Sequence, residues 1–218
     1  MKTNLENQTE NRNNFLSRLS NLPQETVSLI DFAYDLSKEA HRPQLREGGA
    51  RYFEHIREVA LILIDELQIN NADMIIAALL HDSVEDSAMF ANATTSYSAW
   101  KQTAFFRLSR VYNSTVANMV ISLTKPKADG KEFATKAEAH HFYEENLAKA
   151  SAETILIKMC DRLHNLRTLS SCSAAKIARK IEETVNIYFP IFKSIVNQYP
   201  KETAYMIAEM EKEISKLQ

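Results

Sequence analysis

Six consecutive residues, His81-Asp82-Ser83-Val84-Glu85-Asp86, carry more chemistry than any other stretch of this chain. They close the apolar run Met74-Ile75-Ile76-Ala77-Ala78-Leu79-Leu80. Imidazole and carboxylate both suit a divalent cation, and adjacent His and Asp side chains converge on one ion where a helix ends. Glu85 and Asp86 follow about one turn later and face the same side. Burying four ionisable groups without partners is costly, and a metal ion relieves that cost. The same six residues also read as a solvated acidic helix end that His81 caps.

Two further segments favour the metal. His55 opens a helix after Arg51-Tyr52-Phe53-Glu54. Asp161 sits within Ile157-Lys158-Met159-Cys160-Asp161-Arg162-Leu163-His164-Asn165-Leu166-Arg167-Thr168-Leu169. Helical spacing puts Asp161, Asn165 and Thr168 on one face and leaves Ile155, Ile157, Leu163, Leu166 and Leu169 for the core. A carboxylate between those apolar residues wants a partner. The resulting order, H…HD…D, resembles the signature of the HD-superfamily phosphohydrolases.

The similarity reaches further, to the alarmone-hydrolase domain of the Rel/Spo stringent-response enzymes. His41-Arg42-Pro43-Gln44-Leu45-Arg46-Glu47-Gly48-Gly49-Ala50-Arg51-Tyr52-Phe53-Glu54-His55 resembles their H-x-G-Q-x-R-K-S-G-x-P-Y-x-x-H. Ala77 to Asp86 resembles A-A-L-L-H-D-x-x-E-D, Leu123-Thr124-Lys125 resembles G-V/L-T-K, and Lys158 to Leu169 resembles K-x-A-D-R-L-H-N-M-R-T-L. Glu183 to Pro190 is similar to E-T-x-x-I-Y-x-P, so the match runs in order over roughly residues 25–195.

What the resemblance implies is an all-α, single-domain HD-type hydrolase. It makes His55, His81, Asp82 and Asp161 the ligands of one Mn2+ ion, and Glu85 and Asp86 the acid/base pair beside it. Arg46, Asn165 and Thr168 match positions that contact the nucleotide. The implied reaction removes the 3′-pyrophosphate of guanosine tetra- and pentaphosphate, giving GDP or GTP and pyrophosphate. Adenosine analogues or another phosphorylated nucleotide, and a non-catalytic module that senses alarmones, are the rival readings.

The chain departs from the family pattern beside Arg46, where Glu47 and Gly48 replace a Lys and a Ser, with Pro43 for Gly and Arg51 for Pro. A Lys donates to the guanine O6 and N7, whereas a carboxylate only accepts. Glu47 is therefore expected to accept from the adenine amino group, to bond guanine N1–H and N2, or to face solvent. Other residues have plainer readings. Arg162, His164 and Arg167 suit salt bridges, and His140 and His141 the surface or half-buried face of a helix with Glu138 and Glu144. Lys125 and Lys127 suit a solvated loop, and Trp100 the core.

The elements that must position these groups follow from composition and spacing. Three glycines stand where average usage of about 7% predicts roughly 15, which argues for helices and against hairpins and phosphate-cradling loops. Neither G-x-G-x-x-G nor G-x-x-x-x-G-K occurs. A net charge of −2 supplies no field for nucleic acid or anionic lipid, so the small nucleotide that the resemblance implies would be held locally, by a metal or by placed Arg and Lys. Cys160 and Cys172 make no zinc or disulfide framework, and without a membrane-spanning stretch or signal-peptide core a cytoplasmic protein is expected. Residues 1–21 read as a loose polar arm and 22–218 as the hydrolase domain. Within it, helices are expected from near Pro23 to just before His41, 53–67, 73–86, 107–122, 134–150, 152–169, 173–198 with a disturbance at Pro190, and 202–217.

Overall fold

A computed structural model describes residues 10–91, 96–127 and 131–218. These form an all-α fold of eleven α-helices: α1 Arg12–Ser17, α2 Gln24–Ala40, α3 Tyr52–Leu61, α4 Ala72–Leu80, α5 Tyr97–Val111, α6 Ser114–Leu123, α7 Lys136–Leu147, α8 Ala152–Arg167, α9 Ala174–Glu183, α10 Phe189–Lys193 and α11 Pro200–Leu217. The sole β feature among the described residues is an isolated bridge between Leu45 and Arg51. No helix among them is long and apolar enough to cross a membrane.

Helix starts follow local capping chemistry. Asn71, Ser96, Asn113, Ser151 and Ser173 each accept a backbone N–H from the first turn they precede. Thr135 and Glu138 form a reciprocal capping box at α7. Every residue of α4 from Met74 to Leu80 is buried, which suits a helix that is apolar all round. Helix α4 packs against α2, α3, α6 and α8, and α8 is itself enclosed by α3, α4, α6 and α11. Each Ile or Leu of α4 contributes about 1.5–3 kcal/mol by leaving water. This pair of buried helices is the rigid frame on which the candidate site is built.

The loop between α2 and α3 is short and tied. Arg46 N–H donates to Ala50 O at 2.8 Å, Gly49 N–H to Arg46 O at 2.8 Å and Tyr52 N–H to Gln44 O at 3.0 Å. Gly49 takes φ +81°, a left-handed conformation that glycine adopts without steric cost. Two of the chain's three glycines are spent on this turn, which projects Arg46.

Several expected boundaries shift. Of the expected arm, residues 1–9 lie outside the described residues, but 12–17 are helix α1, and Phe15 and Leu19 are fully buried. Phe15 packs on Tyr34 with ring centroids 5.2 Å apart, and Arg18 pairs with Asp65 and Glu10. The expected helix 107–122 is instead two, because Asn113 caps α6 and ends the line of α5. The long helix over 173–198 becomes α9, a π-helical stretch Thr184–Tyr188, and α10. Pro190 sits in the first turn of α10, where its missing N–H is tolerated. The expected α4 extension to residue 86 stops at Leu80, with His81 as its C-cap.

Docking of α1 is testable. Phe15→Ala should lower the unfolding free energy by about 3–5 kcal/mol, measured by urea denaturation. A midpoint and slope equal to those of the parent chain would show that this segment is not part of the core.

Candidate active site

Three elements deliver four donors to one point. His55 stands in the first turn of α3, His81 and Asp82 at the end of α4, and Asp161 in the middle of α8. His55 Nε2 lies 3.2 Å from Asp161 Oδ1 and 3.9 Å from Asp82 Oδ2. His81 Nε2 lies 3.2 Å from Asp82 Oδ2 and 3.9 Å from Asp161 Oδ1. The four atoms therefore form a closed ring, and donors of His55, His81 and Asp82 lie within 4.8 Å of one another. Neighbouring donors around a small octahedral cation stand about 3 Å apart.

The chemistry of this set fits a cation. His81 Nδ1 faces the Ala78 carbonyl at 2.8 Å, and a carbonyl only accepts, so Nδ1 carries the proton in the neutral ring. Its Nε2 is buried without a hydrogen-bond partner, a lone pair aimed at two carboxylates. Burial opposes charge on His81, but the negative charges of Asp82 and Asp161 outweigh it and raise the imidazole pKa to about 9. A proton there does the work that a metal ion would do. Burial would likewise raise Asp161, yet the Lys158 ammonium holds it well below the usual carboxylate range.

The carboxylates and one imidazole of the ring are also held from outside it. Tyr52 Oη donates to Asp82 Oδ2 at 2.7 Å. Lys158 Nζ donates to Asp161 Oδ2 at 2.6 Å, and Asn165 Nδ2 donates to Asp161 Oδ1 at 2.6 Å. His55 Nδ1 meets His164 Nδ1 at 2.7 Å. Gln44 bridges His41 Nδ1 and the Asp86 carbonyl, at 2.8 and 2.7 Å, tying the α2–α3 loop to the turn after α4.

This ring opens into a cleft of about 790 Å³, also lined by Glu85, Asp86, Arg46, Asn165 and Thr168. Burial raises the Glu85 carboxyl above its usual range, with Lys125 offsetting part of the effect. Burial and the charge of Asp82 do the same to Asp86. Carboxyls shifted upward in this way hold a proton more readily than exposed ones, which suits acid/base work. The same cleft is lined by Lys136, Lys176, Arg179 and Lys180, with Glu182 and Glu183 among them. An acidic, donor-rich ring and a group of cationic side chains in one cleft suit a ligand with several phosphates.

Nine of the ten expected site residues meet here, and Glu47 does not. Its carboxylate is 2.9 Å from Lys176 Nζ, 58% exposed, and absent from the cleft wall. Lys125 departs from its solvated-loop reading: its backbone N–H donates to Glu85 Oε2 at 3.0 Å and its side chain lines the cleft. His164 departs from its salt-bridge reading and sits against His55. Arg162 pairs with Glu183 at 3.1 Å and Arg167 with Glu66 at 3.0 Å, as salt bridges. His140 lies between Glu144 and Glu183, His141 is exposed, and Trp100 is buried. Tyr52 and Lys158 are site residues that motif reading misses. The three-residue step from Lys158 to Asp161 is a legible signal, whereas nothing local joins Tyr52 to Asp82.

Residues 33–193 match the model of a family described as HD domain. A Myxococcus xanthus protein named GTP pyrophosphokinase is 35% identical over 173 residues, which is 78% of this chain and 21% of that protein. An Escherichia coli protein named bifunctional (p)ppGpp synthase/hydrolase SpoT is 31% identical over 78% of this chain and 22% of its own length. The chain thus spans about a fifth of the length of these relatives. A solved structure described as a metazoan ortholog of SpoT that hydrolyses ppGpp aligns with a TM-score of 0.59 at 25% identity, covering 87% of this chain and 93% of that one.

The raised pKa of His81 makes binding of a cation compete with a proton. Below about 9 the ion-free ring is charged, so a bound ion must displace that proton. Calorimetric titration with Mn2+ at pH 7.5, in buffers of different ionisation enthalpy, should show about one proton released per ion. Affinity should fall about tenfold for each pH unit lowered. Affinity independent of pH would remove His81 from the ligand set.

Proposed function

The chain belongs to the HD-domain family, and from that premise we propose that it is a metal-dependent alarmone hydrolase, removing the 3′-pyrophosphate of guanosine tetra- and pentaphosphate. The observation that carries this reading is the closed ring of His55, His81, Asp82 and Asp161, with Glu85 and Asp86 in the same cleft. Relatives whose names include ppGpp hydrolysis support the substrate class. Residues 22–218 would act as the hydrolase unit, with α1 docked on it.

A divalent ion such as Mn2+, held by the four ring residues, would supply Lewis acidity to a phosphoryl oxygen and lower the pKa of water. The protein's own groups do the rest. Glu85 and Asp86 divide the proton work: one draws a proton from the attacking water, the other returns one to the departing oxygen. Lys125 keeps the Glu85 carboxylate in place through its backbone N–H. Arg46, Asn165 and Thr168 hold the nucleoside end, and the cationic side chains of the cleft receive the remaining phosphates. Specificity for adenine rested on Glu47, whose carboxylate is occupied by Lys176. The guanosine reading is therefore the one we carry.

Purified protein with Mn2+ should release pyrophosphate from guanosine tetraphosphate, and chelation should abolish the release. Glu85→Gln keeps side-chain size and removes the titratable group. Turnover should fall by about two to four orders of magnitude while Mn2+ binding persists. Retained turnover in that variant would move the proton-transfer role to Asp86. No release by the parent chain, with Mn2+ bound, from guanosine tetraphosphate or from its adenosine and other nucleotide analogues would make it a sensor rather than an enzyme.

A further inference from the structure

His164 and His55 face each other Nδ1 to Nδ1 at 2.7 Å, both buried. A hydrogen bond at that distance needs one proton between the two nitrogens, so one ring donates and the other accepts. Two arrangements are possible for the neutral rings. With the proton on His164 Nδ1, His55 accepts there and carries its own proton on Nε2, 3.2 Å from Asp161 Oδ1. That proton would occupy the place of a cation. With the proton on His55 Nδ1, the Nε2 lone pair points into the ring of donors.

Arg46 discriminates between them. Its Nη1 lies 3.3 Å from His164 Nδ1, and a guanidinium has donors and no acceptor. A proton on His164 Nδ1 would set two N–H groups against each other, whereas a lone pair there accepts from Arg46 and His55 together. The other arm of Arg46 donates to Asn165 Oδ1 at 2.7 Å, which turns the Asn165 amide so that Nδ2 donates to Asp161 Oδ1.

We infer that His164 is a positioning residue for the metal centre: directed by Arg46, it holds the His55 proton on Nδ1 and leaves Nε2 free for the cation. The inference rests on the metal centre proposed above and is independent of the substrate. Outer partners of a ligating imidazole fix its tautomer and are commonly worth about 10–100-fold in metal affinity.

Three variants of the full chain test it. His164→Leu removes the acceptor, and its Mn2+ affinity should fall about 10–100-fold. His164→Asn offers an amide oxygen and should recover most of that loss. Nitrogen-15 spectra of the ion-free protein should show His55 as the Nδ1–H tautomer, moving toward Nε2–H in His164→Leu and in Arg46→Met. Three results would overturn the inference: parental Mn2+ affinity in His164→Leu, equal weakness of the Leu and Asn variants at unchanged Tm, or an unmoved tautomer in both His164→Leu and Arg46→Met. A parent chain that binds no divalent ion overturns the metal centre as well, and that measurement comes before any variant is made.

Discussion

Two carboxylates and two imidazoles share one buried point in this protein, and most of the surrounding architecture answers the electrostatic problem they pose. Asp82 and Asp161 would each lose several kcal/mol of hydration on burial without compensation. Lys158, Tyr52 and Asn165 each neutralise or satisfy one of their oxygens. What they leave is a set of lone pairs directed inward, and a cation is the natural complement. The apolar bulk of α4 and α8 surrounds that point as a scaffold stiff enough to keep like charges together.

The cleft extends the same logic outward. Near the ring, burial biases Glu85 and Asp86 toward the protonated form; in the same cleft, Lys136, Lys176, Arg179 and Lys180 gather positive charge on a chain whose net charge is negative. A polyphosphate is thus attracted by local placement rather than by the field of the whole molecule. The loop carrying Arg46 joins ring and cleft, because one guanidinium touches both His164 and Asn165, and each of these touches a ring residue.

How much of this is legible in the sequence depends on the distance over which each signal acts. The four ring residues and their order stand in local motifs, and caps such as Asn71 announce their helices directly. The scarcity of glycine points correctly to an all-α fold. Contacts between distant segments leave no local trace. Phe15, Leu16, Leu19 and Leu22 give a short local signal at helical spacing inside an otherwise polar run, and the packing of Phe15 on Tyr34 shows what that signal serves. Glu47 reads as a base-contacting residue from its neighbour Arg46, but Lys176, far along the chain, takes its carboxylate. His164 suggests a salt bridge, and its actual partner is an imidazole from α3.

The placement of His81 immediately after α4 has a consequence for how such a chain can vary in length. Between the Asn71 cap and His81 the helix acts as a ruler. Adding or deleting one residue would swing the His81-Asp82 pair about 100° around the axis and shift it by about 1.5 Å. Neither histidine nor carboxylate could then reach α3 and α8. The count of residues in α4 therefore behaves as part of the site itself.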